Sequence, residues 1–142
     1  MNIYFSCSIT GGREDQHIYK RIVDYLIKNG HEVPTAHLAS SDVMKDESDI
    51  NAIDVYERDM KWVGNCDMLI AEVSTPSHGV GYEIATAIFL GKHVMCCYQM
   101  GKKISKIISG NTRENVHVFA YNSEEKLISE IESFLKAFPD AN

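Results

Sequence analysis

Two acidic residues occupy positions where an apolar side chain would be expected. In Pro76-Ser77-His78-Gly79-Val80-Gly81-Tyr82-Glu83, glycines open the start of a helix, and Glu83 borders the stripe formed by Val80, Ile84, Ala87 and Ile88. Upstream, Val55, Asp59, Trp62 and Cys66 fall at i, i+4, i+7 and i+11 of another helix, so Asp59 interrupts an apolar face. A buried carboxylate is costly unless it is paired, hydrogen-bonded or protonated. Two inward carboxylates suit cleavage of a glycosidic bond through a covalent intermediate, one attacking the anomeric carbon and the other protonating or orienting the leaving group. Glu83 is expected within or just after the first helical turn, where the positive end of the helix favours an ionised nucleophile. Plainer accounts stand beside these. Acidic residues stabilise first turns generally, and Asp59 could pair with Arg58, Lys61 or Arg13. Tyr4, near the end of the first strand, could hold the nucleophile, stack on a ring, or simply pack in the core.

Around these acids lie groups that handle anions. Gly79 and Gly81 let backbone approach a ligand where the helix begins, and Ser77 adds a hydroxyl, so a phosphate could dock there. Gly11-Gly12 could expose backbone N–H groups at the start of another helix, or merely permit a tight turn. The chain matches neither GxGxxG nor GxxxxGK[ST], which speaks against dinucleotide binding and NTP hydrolysis.

The elements that must position these residues alternate. Strands are predicted over about Ile3–Cys7, His31–Ala36, Asp67–Val73, His93–Tyr98 and Val116–Tyr121. Helices are predicted over Arg13–Lys28, Ile50–Asn65, Val80–Leu90 and Ser123–Phe138, the last capped by Ser123, with a short one within Lys102–Ser109. Ala39–Asp49, rich in Ser and Asp, reads as a surface loop or lid. This order implies an α/β fold, a single-domain doubly wound, mostly parallel five-stranded sheet with helices on both faces, flavodoxin- or Rossmann-like, spanning residues 1–142. Ligands of such sheets bind beyond the carboxyl ends of the strands.

Composition narrows the partners. With 142 residues the chain is the size of one domain. Fourteen Lys plus Arg against twenty Asp plus Glu give a charge of −6, which excludes a generic basic surface for a nucleic acid polymer. Cys7, Cys66, Cys96 and Cys97 lack zinc-ligand spacing, so a structural metal has little support and reduced core thiols are expected. No apolar run approaches the ~18 residues of a membrane span, and no signal-peptide pattern opens the chain, so a cytoplasmic protein is expected.

Four segments, in order, resemble the 2'-deoxynucleoside 5'-phosphate N-hydrolases of the nucleoside 2-deoxyribosyltransferase superfamily. They are Tyr4-Phe5-Ser6-Cys7-Ser8-Ile9-Thr10-Gly11-Gly12-Arg13-Glu14-Asp15, Glu57-Arg58-Asp59 before Trp62, Ala71-Glu72-Val73, and Pro76 through Glu83. The resemblance implies that Glu83 attacks C1' of deoxyribose, that Asp59 assists base departure near the sugar, and that Tyr4 positions the nucleophile. It implies substrate contacts at Ser8, Ile9, Thr10, Gly11, Ser77 and Gly79, with Ser8, Ser77 and Gly79 on the phosphate side. His37, after a one-residue offset, falls near the base. Ser105, in Lys103-Ile104-Ser105-Lys106, is implied to reach the neighbouring subunit's site in a homodimer. The implied reaction needs no cofactor and no metal and releases free base and 2-deoxyribose 5-phosphate from a small deoxynucleotide.

One departure bears on substrate. Thr10 stands where the family often has arginine, which weakens the case for strong 5'-phosphate selectivity unless Lys102, Lys103, Lys106 or Arg13 compensates. Two rival readings remain. A deoxyribosyltransferase would use the same intermediate and pass the sugar to a second base. Such enzymes complete their site with a C-terminal Asn, and Asn142 is available, although Ser105 fits the hydrolase pattern better. A non-catalytic nucleotide-binding module would have no need of both Asp59 and Glu83 on inner faces.

Overall fold

The computed structural model describes residues 1–12 and 14–139, with all side chains among them except those of Met44 and Asp46. Four strands, β1 (Ile3–Ser6), β2 (Met68–Glu72), β3 (His93–Gln99) and β4 (Val116–Tyr121), form one parallel sheet in the order β1-β2-β3-β4. Helices α1 (Gln16–Lys28), α2 (Val43–Ser48), α3 (Ala52–Asn65), α4 (His78–Phe89), α5 (Lys106–Ser109) and α6 (Glu124–Ala137) connect and cover it.

Side chains alternate across each strand and feed two cores. Ile3, Phe5, Met68, Ile70, Met95 and Cys97 pack with α1 and α6 on one face. Tyr4, Leu69, Ala71, Val94 and Cys96 pack with α3 and α4 on the other. The adjacent Cys96 and Cys97 therefore point into opposite cores, and all four cysteines are buried free thiols. Burial pushes the Cys96 thiol up to about 12. Ser77, Ser123 and Asn51 cap α4, α6 and α3 by accepting from the N–H groups of Val80, Lys126 and Asp54. No helix among the described residues is long and apolar enough to cross a membrane.

The sheet has four strands rather than five, because the segment expected to be a strand over His31–Ala36 pairs only once. Glu32 bridges Asn2, donating to the Met1 carbonyl at 2.9 Å and accepting from Ile3 N–H at 2.8 Å. Pro34 then removes a ladder donor, and Ala36 N–H folds back onto the Val33 carbonyl. The next ladder donor of β1, Phe5 N–H, is satisfied by the buried Thr35 hydroxyl at 3.0 Å. A side chain thus completes what a fifth strand would have supplied.

The expected loop over Ala39–Asp49 also carries more structure than its polar composition suggests. A 3-10 turn (Ala36–Ala39) leads into α2, and Leu38, Ala39 and Val43 are buried against the α1 side of the core. The chain runs from β1 to this edge over one face and returns to β2 through α3 on the other. The direction of winding therefore reverses between β1 and β2, which places a crevice at their carboxyl ends.

Candidate active site

Strand alternation puts Tyr4 and Ser6 of β1 on the same face, and α4 lays Glu83 across them. Tyr4 donates its hydroxyl to Glu83 Oε1 at 2.8 Å, and Ser6 donates Oγ–H to Oε2 at 2.5 Å. Tyr4 and Ser6 are fully buried, whereas Glu83 is half-buried. Burial pushes the Glu83 carboxyl above its ordinary range; the two hydroxyls and Arg58 oppose that shift, and the charge of Asp59 adds to it. Burial, followed by the charges of Glu83 and Asp59, drives the Tyr4 hydroxyl far up, so it stays protonated and remains a donor.

α4 begins at His78, so Glu83 is its sixth residue and lies in the second turn. The helix dipole, which fades after the first turn, is therefore not what holds this carboxylate. Two hydroxyls from β1 do that instead. Ser6 was not among the residues expected at the site, although its position two residues after Tyr4 in a strand is the signal that marks it.

Asp59 projects from α3 toward the same place, and its charge acts on both Glu83 and Tyr4. It accepts from Arg58 Nε at 2.9 Å, so among the described residues Arg58 is the ion-pair partner it takes. Lys61 is exposed, and Arg13 lies outside the described residues. The two terminal nitrogens of Arg58 donate to Glu47 Oε1 and Oε2, each at 3.0 Å, and the guanidinium lies 5.0 Å from the Trp62 ring. Burial opposes the charge on each of these partners. The hydrogen bonds win, pushing Arg58 up and holding Glu47 below the usual carboxylate range. His37, in the 3-10 turn, meets Glu47 Oε1 through Nε2 at 3.0 Å and stands edge-on to Trp62.

The expected phosphate-side residues gather at the loops after β1 and β2. A Cβ on Gly11 would lie 2.3 Å from the Pro76 carbonyl and 2.7 Å from Ser8 Oγ, so only glycine lets the two loops meet this closely. Gly12 has a φ of 136°, which also favours glycine. Ser8 is buried beneath this turn, and Ser77 caps α4 one turn before Gly81, with Gly79 between them. Ile9 packs against the α1-side core, and Thr10 is exposed. Ser105 caps α5, is exposed, and lines a groove of about 740 Å³ with Ser77, His78, Ile84 and Ile104; no described hydrogen bond joins it to the Glu83 cluster. Lys102, Lys103 and Lys106 are exposed beside it. Asn142 lies outside the described residues.

A second acid lies on the opposite side of the sheet end. Glu72, fully buried, accepts from Ser74 Oγ at 2.5 Å, Ser74 N–H at 3.2 Å and Tyr121 OH at 2.8 Å. Ser74 Oγ in turn accepts from Gln99 N–H, and Asp15 accepts from the side chains of Gln99 at 2.6 Å and Thr75 at 3.1 Å. This ring ties the loop after β2 to the ends of β3, β4 and the start of α1.

Comparison with known proteins shows what the chain as a whole is similar to. The family model for nucleoside 2-deoxyribosyltransferase matches residues 3–132. A 5-hydroxymethyl-dUMP N-hydrolase of Mus musculus is 39% identical over 129 residues, covering 87% of this chain and 74% of its own. Its namesake in Esox lucius is 38% identical over 141 residues, covering 96% and 97%. Among solved structures, a Clostridium botulinum CMP N-glycosidase superposes with a TM-score of 0.71 at 21% identity, over 94% of this chain and all of that one, which shows a shared fold.

Proposed function

This chain belongs to the nucleoside 2-deoxyribosyltransferase family, and on that footing we propose that it hydrolyses the N-glycosidic bond of 2'-deoxynucleoside 5'-monophosphates, releasing free base and 2-deoxyribose 5-phosphate. The observation that carries this reading is the Glu83 carboxylate, gripped by Tyr4 and Ser6 at the winding reversal of the sheet while the Asp59 charge acts on it.

Each Glu83 oxygen accepts one hydroxyl and keeps lone-pair capacity for a further partner. One oxygen attacks C1', and the electron pair of the C1'–N bond leaves with the base, which takes up a proton. Water then adds to C1', the C1'–O bond to Glu83 breaks, and the carboxylate is restored as the water's proton is released. Ion-paired Asp59 fits the orienting half of its expected role, accepting from the sugar or the base side while the positive charge of the transition state develops. A 5'-phosphate docks where Ser77, Gly79, Ser8 and Gly11 converge at the N-terminus of the twelve-residue α4, and its binding energy orients C1'. His37 and Trp62 wall the base side.

The working unit in this reading is a homodimer in the cytoplasm. Phe89 and Ile107, 90% and 86% exposed, flank the apolar groove that holds Ser105, and a second copy seated there brings Ser105 to its neighbour's site. The buried free thiols suit a reducing compartment.

Incubation with deoxynucleoside monophosphates, deoxynucleosides and ribonucleotides, with and without an acceptor base, tests the reading by chromatography of free base. Release from deoxynucleotides without acceptor is expected. Exchange only with acceptor makes the protein a transferase, and no release from any substrate overturns the proposal.

A further inference from the structure

Arg58 and Asp59 are consecutive on α3, where neighbouring side chains point about 100° apart and do not ordinarily meet. Their 2.9 Å contact therefore needs something that folds Arg58 back along the helix. Glu47 supplies it. Both terminal nitrogens of Arg58 donate to Glu47, and the guanidinium is planar, so fixing two of its nitrogens fixes the direction of the third. The Trp62 ring lies against the same guanidinium, and the side chains of Glu47, Arg58 and Asp59 are only 15%, 21% and 14% exposed, so water competes weakly for these bonds. Glu47 is carried by α2, in the segment that His37, Leu38, Ala39 and Val43 fasten to the rest of the molecule.

We infer that Glu47 is a positioning residue: through the Arg58 fork it sets the orientation of the Asp59 carboxylate, and it makes that orientation depend on the docking of residues 36–48 against α3. The inference rests on the reading of Asp59 as the group that orients substrate. It adds a residue that touches no substrate, and it gives the 36–48 segment a task besides packing against the core. A departing segment takes Glu47 with it, Arg58 swings out, and Asp59 loses its hold.

Two variants keep the shape of the site while breaking the fork. Glu47→Gln removes one acceptor oxygen and turns an amide toward the guanidinium. Arg58→Lys keeps the charge but lacks the planar fork whose grip on Glu47 aims Nε at Asp59. Each is expected to lower kcat about tenfold with KM changed by less than about threefold, because an interaction used to orient the reacting group is lost rather than uniform binding. Combined, they should cost little more than either alone, the mark of one shared interaction. Unchanged kcat in Glu47→Gln, or full additivity in the double variant, overturns the inference. Amide exchange over residues 36–48, measured without substrate, reads the same latch independently of activity: it should accelerate in both variants while α1 and α6 stay protected. Unchanged exchange overturns the coupling even for an active enzyme, whereas an inactive wild-type protein with accelerated variants would sink the proposed reaction and leave the latch standing.

Discussion

Glu83 and Glu72 are held by the same chemistry on opposite sides of one sheet. Each accepts from one tyrosine and one serine hydroxyl, Tyr4 and Ser6 for Glu83, Tyr121 and Ser74 for Glu72, and burial pushes both carboxyls up. What separates them is what lies beyond the grip. Glu72 is completely enclosed, takes a third bond from Ser74 N–H, and feels the charge of Asp15, which is already engaged by Thr75 and Gln99. Glu83 is half-buried and shares its surroundings with Asp59, a second carboxylate anchored on a different helix by its own cation. A hydroxyl-clamped acid is therefore not in itself a sign of catalysis. An exposed edge and an independently held second charge make the difference, and the Glu72 ring serves to fix the loop from which Ser77 and α4 start.

Glu83→Gln is the hardest test of this contrast. Removing the proposed nucleophile should lower base release by up to about 10⁶-fold with the fold intact, as loss of a covalent group does elsewhere. Glu72→Gln, matched in chemistry, should keep most activity in the fraction that remains folded. Comparable losses of turnover per folded molecule in the two variants would erase the distinction.

Tyr4→Phe comes next. A hydrogen bond to a charged acceptor contributes about 1.5–3 kcal/mol, so loss of the 2.8 Å donor should slow the reaction about 10- to 100-fold. The donor favours ionised Glu83, so its loss pushes that carboxyl further up, and the acid limb of the rate–pH profile should move to higher pH. A limb that stays in place would mean that Glu83 is not the group titrating.

The framework of this contrast was readable in the sequence where side chains follow a period. Apolar runs marked all four strands, Ser123 marked the last helix, and the breaks that Asp59 and Glu83 make in apolar stripes marked both acids, whereas Ser77 reads as a phosphate contact rather than as the cap of α4. What escaped depended on contacts between distant segments. The single bridge at Glu32 looks like a strand until Thr35 is seen capping Phe5 N–H from the side, thirty residues away in sequence. The Glu47 fork spans eleven residues from a segment whose polar composition hides Leu38 and Val43. Ser6 could have been named from alternation with Tyr4, whereas nothing in the local pattern of Glu72 told of Tyr121, forty-nine residues downstream.

The smallest effect sharpens the comparison through pH. Because burial raises the Glu72 carboxyl in the folded state, its favourable contribution is fully present below the unfolded value near 4.5 and is lost as pH rises through the folded one. Wild-type stability should therefore decline over the range just above 4.5, and urea unfolding of Glu72→Gln should lack that part of the slope. At low pH the glutamine costs about 1–3 kcal/mol, since its amide faces Ser74 N–H where an acceptor stood. Raising the pH should shrink that deficit. Glu83→Gln should flatten the slope with the same sign but by less, because Arg58 opposes the rise of the Glu83 carboxyl and part of its surface stays open to solvent. If Glu83→Gln removed more of the slope than Glu72→Gln, the sealed and open sites would have been assigned the wrong way round.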